Sequence, residues 1–118
     1  MELASAWPEV SVGSSYSTPA LKVRGTSFCR LWGERDRRTS GLLERDVLVV
    51  FCEIDEKEFL LAESDGSVFT SAHYDGYGAV LVWLDVVETE TLVQLLWDSY
   101  LLRAPTSIAK RFDASGPP

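Results

Sequence analysis

The sequence predicts an α+β domain of two layers, about five antiparallel strands in one sheet with helices packed on one of its faces. Three observations carry this. The chain has 118 residues, 46% of them apolar, which suits one domain around one core. Its first half holds short alternating runs separated by turn residues, the pattern of hairpins. Its last third holds one long apolar stripe at helical spacing after the clearest strand. Strands joined by hairpins and followed by helices give a sheet covered on one side, so the second sheet face is expected to meet water or a partner.

The elements follow in order. Residues 2–7 read as the end of a helix stopped by Pro8. "VGSSYSTP" is a turn-rich lead-in with a short strand around Ser14 to Tyr16. "ALKVRG" alternates, with Leu21 and Val23 on one side and Ala20, Lys22 and Arg24 on the other. Gly25-Thr26 is the expected turn into "SFCRLW", where Cys29 and Leu31 share one face and Phe28, Arg30 and Trp32 the opposite one. Gly33 to Asp46 is a long polar connection with four positive and four negative charges. "VLVVFC" (Val47 to Cys52) is an apolar strand. A short helix is expected from Asp55, with Glu58 completing a capping box. Val68 to Thr70 is a brief extended piece, and "SAHYDGYG" a compact loop. "AVLVWLDV" is the clearest strand. Glu88 to Arg103 then places Leu92, Leu95, Leu96, Ser99 and Leu102 on one helical stripe. Pro105 opens a final short helix to about Phe112. Residues 1–113 are expected to form the domain and residues 114–118 a frayed tail.

Composition excludes several function classes. No apolar run approaches the roughly 20 residues of a membrane span, and the first ten residues lack the pattern of a signal peptide. A cytoplasmic protein without membrane association is expected. Cys29 and Cys52 lie in separate apolar runs without CxxC spacing, and His73 is the only histidine; no metal site or cofactor is expected. No phosphate-cradling glycine loop or nucleophile elbow is present, so no catalytic residue is assigned and the chain is read as non-enzymatic.

Charge is unevenly distributed. The net charge is −7, the wrong sign for a polyanion binder taken as a whole. Residues 20–45 nevertheless hold Lys22, Arg24, Arg30, Arg35, Arg37, Arg38 and Arg45 against Glu34, Asp36 and Glu44, which is +4 and leaves −11 for the remainder. Two readings of the site follow. Lys22, Arg24 and Arg30 on the sheet face, with Arg35, Arg37 and Arg38 at a loop tip, form a basic surface for weak, non-specific contact with double-stranded DNA. The competing reading is that the three strand cations cover apolar surface with their stems and that the loop pairs its own charges. Alternatively, Trp32, Phe51 and Trp83 form an open aromatic patch, with His73, Tyr74 and Tyr77 nearby, that takes a planar small molecule. Against it, the aromatics are covered by a loop or a second copy, and His73 and the tyrosines satisfy loop backbone groups. Either a monomer or a homodimer is compatible with the chain.

The stretches "SYSTPALKVRGTSFCRLW", "HYDGYGAVLVWL" and "LVQLLWDSYLLRAPTSIAKRFD" resemble, in that order, the MmcQ/YjbR family. The resemblance spans nearly all of residues 8–113. It implies a CyaY-like fold and a DNA-binding role, and a link with natural-product gene clusters. Thr26, Phe51 and Trp83 depart from the family pattern at positions that often carry charge. The sheet face is thereby less basic than the resemblance implies and more aromatic.

Overall fold

A computed structural model of the chain describes residues 7–15, 18–32, 46–71, 74 and 76–109. Its elements are β1 (Val10–Ser15), β2 (Thr18–Val23), β3 (Thr26–Leu31), β4 (Val47–Phe51), α1 (Ile54–Ala62), β5 (Val68–Phe69), β6 (Ala79–Trp83), α2 (Thr89–Arg103) and α3 (Thr106–Ala109). The strands form one sheet of order β1-β2-β3-β4-β6-β5, antiparallel at every pairing. The α+β class is as the sequence predicts.

Six strands are present rather than about five. β1 starts at Val10, well before Ser14, because all six of its residues find partners on β2, from Val10 opposite Val23 to Ser15 opposite Thr18. The brief piece at Val68 is a two-residue edge strand on β6. Only Trp7 of the expected first helix lies among the described residues; the polar connection from Gly33 to Arg45 and the tail 114–118 lie outside them.

The β2–β3 turn falls one residue earlier than expected. Val23 pairs with Thr26, so Arg24 and Gly25 are the two loop residues, with φ of 47° and 81°. Both being positive marks the twist-matched two-residue hairpin turn. Arg24 is therefore a turn residue and not part of the sheet face. A second correction concerns Phe28. The register jumps between Leu21 opposite Cys29 and Lys22 opposite Ser27, leaving Phe28 as the extra residue of a bulge. Phe28 and Cys29 consequently both pack on the helical side.

That side holds the main core. Leu21, Val23, Phe28, Leu48, Val50, Val80 and Val82 of the sheet meet Leu95, Leu96, Trp97 and Tyr100 of α2 and Ile108 of α3. Trp7 stands edge-on to Trp97 at 5.0 Å between ring centroids, and Trp97 stacks on Tyr100 at 5.2 Å. The Ser99 hydroxyl donates to the Phe28 carbonyl at 2.5 Å, which satisfies a group that the bulge takes out of the ladder. Leu102 leaves the predicted stripe and is 40% exposed. The expected capping box is absent: α1 begins at Ile54, with Glu53 at the cap and no side-chain cap bond.

The opposite face is not open over its β3–β4–β6 half. Trp32, Val47, Val49, Phe51, Tyr74, Ala79 and Leu81 form a second buried cluster, with Phe69 and Trp83 packed against it. The sheet thus has cores on both faces. The second is closed by Tyr74, from between β5 and β6, together with Trp32 and Phe69.

Candidate polyanion-binding surface

The three strand cations meet different fates. Lys22, opposite Ser11 of β1, is half-buried, and its stem lies across Gly13, where a Cβ would sit 3.5 Å from both Cδ and Cε. The bare backbone at residue 13 makes room for the end of the side chain, whose Nζ would lie 3.9 Å from the same Cβ.

Arg24 projects from the hairpin turn. Its Nε donates to Glu9 Oε1 at 2.8 Å, and the two side chains are 50% and 39% exposed. Its amide donates to the Glu9 carbonyl at 3.2 Å. Glu9 itself has a φ of 59°, so two non-glycine residues in the left-handed region are held against each other. The hydrogen bond and charge of Glu9 raise the Arg24 pKa above its ordinary value. An exposed pair of this kind contributes little to stability, but it fixes where the guanidinium sits.

Arg30 is buried. Its guanidinium donates to the Tyr74 hydroxyl at 2.6 Å and, at 3.5 Å, to the Leu31 carbonyl. Arg30 is thus withdrawn from any surface contact with phosphate, because the sheet face on which it stands became a core. Arg35, Arg37 and Arg38 lie outside the described residues. Of the sequence-derived cations, the structure leaves Lys22 half-buried across β1 and Arg24 exposed at the hairpin turn, and buries Arg30.

The aromatic candidates are a correction of another kind. Trp32 is 4% exposed, Phe51 7% and Tyr74 6%. Phe69 stacks on Trp83 with centroids 4.2 Å apart and planes inclined by 14°, so the protein's own ring takes a stacking place that a planar ligand would use. On Phe51, the Arg103 guanidinium lies 4.2 Å from the ring centroid. Tyr77 remains 49% exposed. His73 lies outside the described residues. Among the described residues the buried Trp32 indole N–H finds no hydrogen-bond partner.

One residue that the sequence reading missed organises this region. Lys57 of α1 is buried, and its ammonium donates to the Tyr74 carbonyl at 2.5 Å and the Tyr77 carbonyl at 3.0 Å. Gly78 completes the closure: a Cβ there would stand 2.8 Å from the Cys52 carbonyl oxygen, and the Cys52 amide donates to the Gly78 carbonyl at 3.0 Å. Only glycine permits that approach. A signal for Lys57 was present: it is the only cation in residues 53–98, among eleven carboxylates. Among the described residues no group of His, Cys, Asp or Glu is placed to hold a metal ion, and no helix is long and apolar enough to cross a membrane.

The fold defines the class of protein: a small α+β domain built on one antiparallel sheet under a helical layer, with a basic hairpin at one end. The YjbR family model matches residues 5–102, and the chain belongs to the YjbR family. Similar proteins include the uncharacterized protein Mb2600 of Mycobacterium bovis and the uncharacterized protein Rv2570 of Mycobacterium tuberculosis. Each is 39% identical over 56 residues, which cover 48% of this chain and 43% of the relative. The matched stretch therefore spans less than half the length of these relatives.

Proposed function

We propose that this YjbR-family protein is a non-enzymatic domain that contacts polyanions, duplex DNA above all, weakly and without sequence preference. The observation that carries the proposal is charge segregation. Residues 20–45 carry +4, whereas residues 53–98 carry −10, eleven carboxylates against Lys57. Charge segregated in this way along the sequence lets the basic segment meet a phosphate backbone while the acidic remainder limits affinity. Lys22 and Arg24 on the β2–β3 hairpin supply the described contacts; Arg35, Arg37 and Arg38, outside the described residues, add to the positive charge of residues 20–45. Buried Arg30 makes no such contact. The two free cysteines fit a reducing, cytoplasmic setting.

Glu9 acts as an internal competitor for the Arg24 guanidinium. Replacing it by glutamine removes one negative charge beside the proposed phosphate path. Binding of a labelled duplex to Glu9→Gln is expected to tighten by about 3-fold at low salt, the scale of one weak exposed ion pair. The double variant Lys22→Gln, Arg24→Gln is expected to weaken binding about 10-fold. Equal affinity of the native protein and the double variant would remove the hairpin from the interface.

A further inference from the structure

β1 is the outermost strand of the sheet, and nothing blunts its outer edge. Residues 11–14 are exposed. The strand has no charged residue, no proline and no bulge against β2. At the opposite edge of the sheet, β5 is only two residues long. A long bare edge presents unpaired N–H and C=O groups to any extended chain.

The register says which groups these are. The Arg24 amide donates to the Glu9 carbonyl, so by alternation Ser11 and Gly13 turn their backbone groups towards β2. Ser14 stands opposite Pro19, which has no N–H to exchange, as the same alternation requires. The N–H and C=O of Val12 and Ser14 therefore point outward. The Val10 amide is already taken, donating to the Trp7 carbonyl at 3.2 Å.

The two faces of the edge differ. Val12 stands opposite Leu21, on the helical side, yet it is 73% exposed. On the other face, Lys22 fills the side-chain place that Gly13 leaves empty, with Nζ 3.9 Å from where a Cβ would sit. Among the described residues no carboxylate pairs with this ammonium, whereas the neighbouring charges Glu9 and Arg24 pair with each other.

A strand laid antiparallel on β1 would exchange a pair of main-chain hydrogen bonds with each of Val12 and Ser14. Its residue facing Gly13 then falls in a non-hydrogen-bonded pair, with Cβ positions about 4.5–5.5 Å apart, within reach of the Lys22 ammonium. A carboxylate at that place is attracted and a cation repelled. A second copy of β1 would bring its own Lys22 to the same place, so like charge opposes self-pairing.

We propose that the β1 edge docks an extended acidic peptide by strand addition, with a carboxylate facing Gly13 and a β-branched residue facing Val12. The inference goes beyond the polyanion reading. Lys22 belongs to both surfaces, so an acidic strand and a duplex compete for it.

The probe is a capped peptide, Thr-Val-Glu-Val-Thr, titrated into the nitrogen-15-labelled protein without nucleic acid, so that its outcome is independent of duplex binding. The amide signals of Val12 and Ser14 are expected to move most. Glutamine in place of the peptide's glutamate should weaken binding about 3-fold, and lysine about 10-fold. In Lys22→Gln the glutamate and glutamine peptides should bind within about 1.5-fold of each other. N-methylation of the valine facing Val12 should weaken binding about 5-fold. Val12→Pro, which removes an outward donor and leaves the ladder to β2 intact, should act alike, and the N-methylated peptide makes the same test on the native protein. No movement of these signals at millimolar peptide, equal affinity for the glutamate and lysine peptides, or binding unaffected by N-methylation would each overturn the proposal. So would the same shifts on raising the protein concentration alone, which would give the edge to a second copy.

Discussion

Lys57→Met tests how the second core is closed. Methionine keeps most of the buried stem and removes the ammonium, so the change reports the polar contacts and not a cavity. Two hydrogen bonds from a charged donor are lost, at 2.5 and 3.0 Å, worth about 1.5–3 kcal/mol each. Two terms oppose this. The ammonium no longer has to be desolvated, and Tyr77, half-exposed, lets water reach its carbonyl. The Tyr74 carbonyl loses one of its partners but keeps the Tyr77 amide, which donates to it at 2.9 Å. A net loss of about 2–3 kcal/mol is expected. With a urea dependence of about 1–2 kcal/mol/M for a chain of this size, the unfolding midpoint falls by roughly 1.5 M. A midpoint unchanged within about 0.3 M would show that the Lys57 ammonium does not hold the second core closed.

Three further outcomes follow from the geometry. Gly78→Ala brings a Cβ to 2.8 Å from a backbone oxygen that cannot rotate away, and should destabilise by about 1–3 kcal/mol; a thermal midpoint equal to the native one would contradict the close approach. Burial holds the Cys29 thiol protonated to about pH 12, against an ordinary value of 9.0. The unfolded chain ionises first, so stability is lost as pH rises from about 9 towards 12, by up to about 1.4 kcal/mol per unit. In Cys29→Ala the urea midpoint should therefore fall less steeply between pH 8 and pH 10.5 than in the native protein, and parallel slopes would count against a buried native thiol. Arg30→Met breaks the bond to the Tyr74 hydroxyl and should lower stability by about 2 kcal/mol while leaving duplex affinity unchanged; a loss of affinity in the folded variant would return Arg30 to the binding surface.

The sequence made some elements legible because their physics is local. β4 and β6 are short runs with every interior residue apolar, and they are buried on both faces, as such runs require. α2 is legible from its stripe and its flanking charges. Arg24 misleads because alternation continues one residue past the strand: Lys22, Val23 and Arg24 read as one extended run, but the two-residue turn takes Arg24. What holds it there, Glu9, is fifteen residues away. Phe28 misleads for the reason that any bulge does, since the extra residue changes the face of its neighbours without altering composition. The open sheet face was inferred from counting layers of regular structure. It is covered instead by Tyr74, whose ability to bond Arg30 and be held by Lys57 arises only from the tertiary fold. Lys57 sits between Glu56 and Glu58 and reads as a solvated helical lysine; its isolation among carboxylates was the one sign that its charge had a use.

A net acidic protein that contacts phosphate through a basic hairpin must release counterions when it binds. The most direct measurement is the dependence of duplex affinity on salt, from about 20 to about 200 mM. Five contacts, by Lys22, Arg24, Arg35, Arg37 and Arg38, set a limit near −4.5 for the slope of log K against log salt, at about 0.9 per phosphate. With Arg24 partly held by Glu9, a slope between about −3 and −4 is expected, steepening in Glu9→Gln by close to one contact. No binding at the lowest salt, or a slope near zero, would contradict the claim.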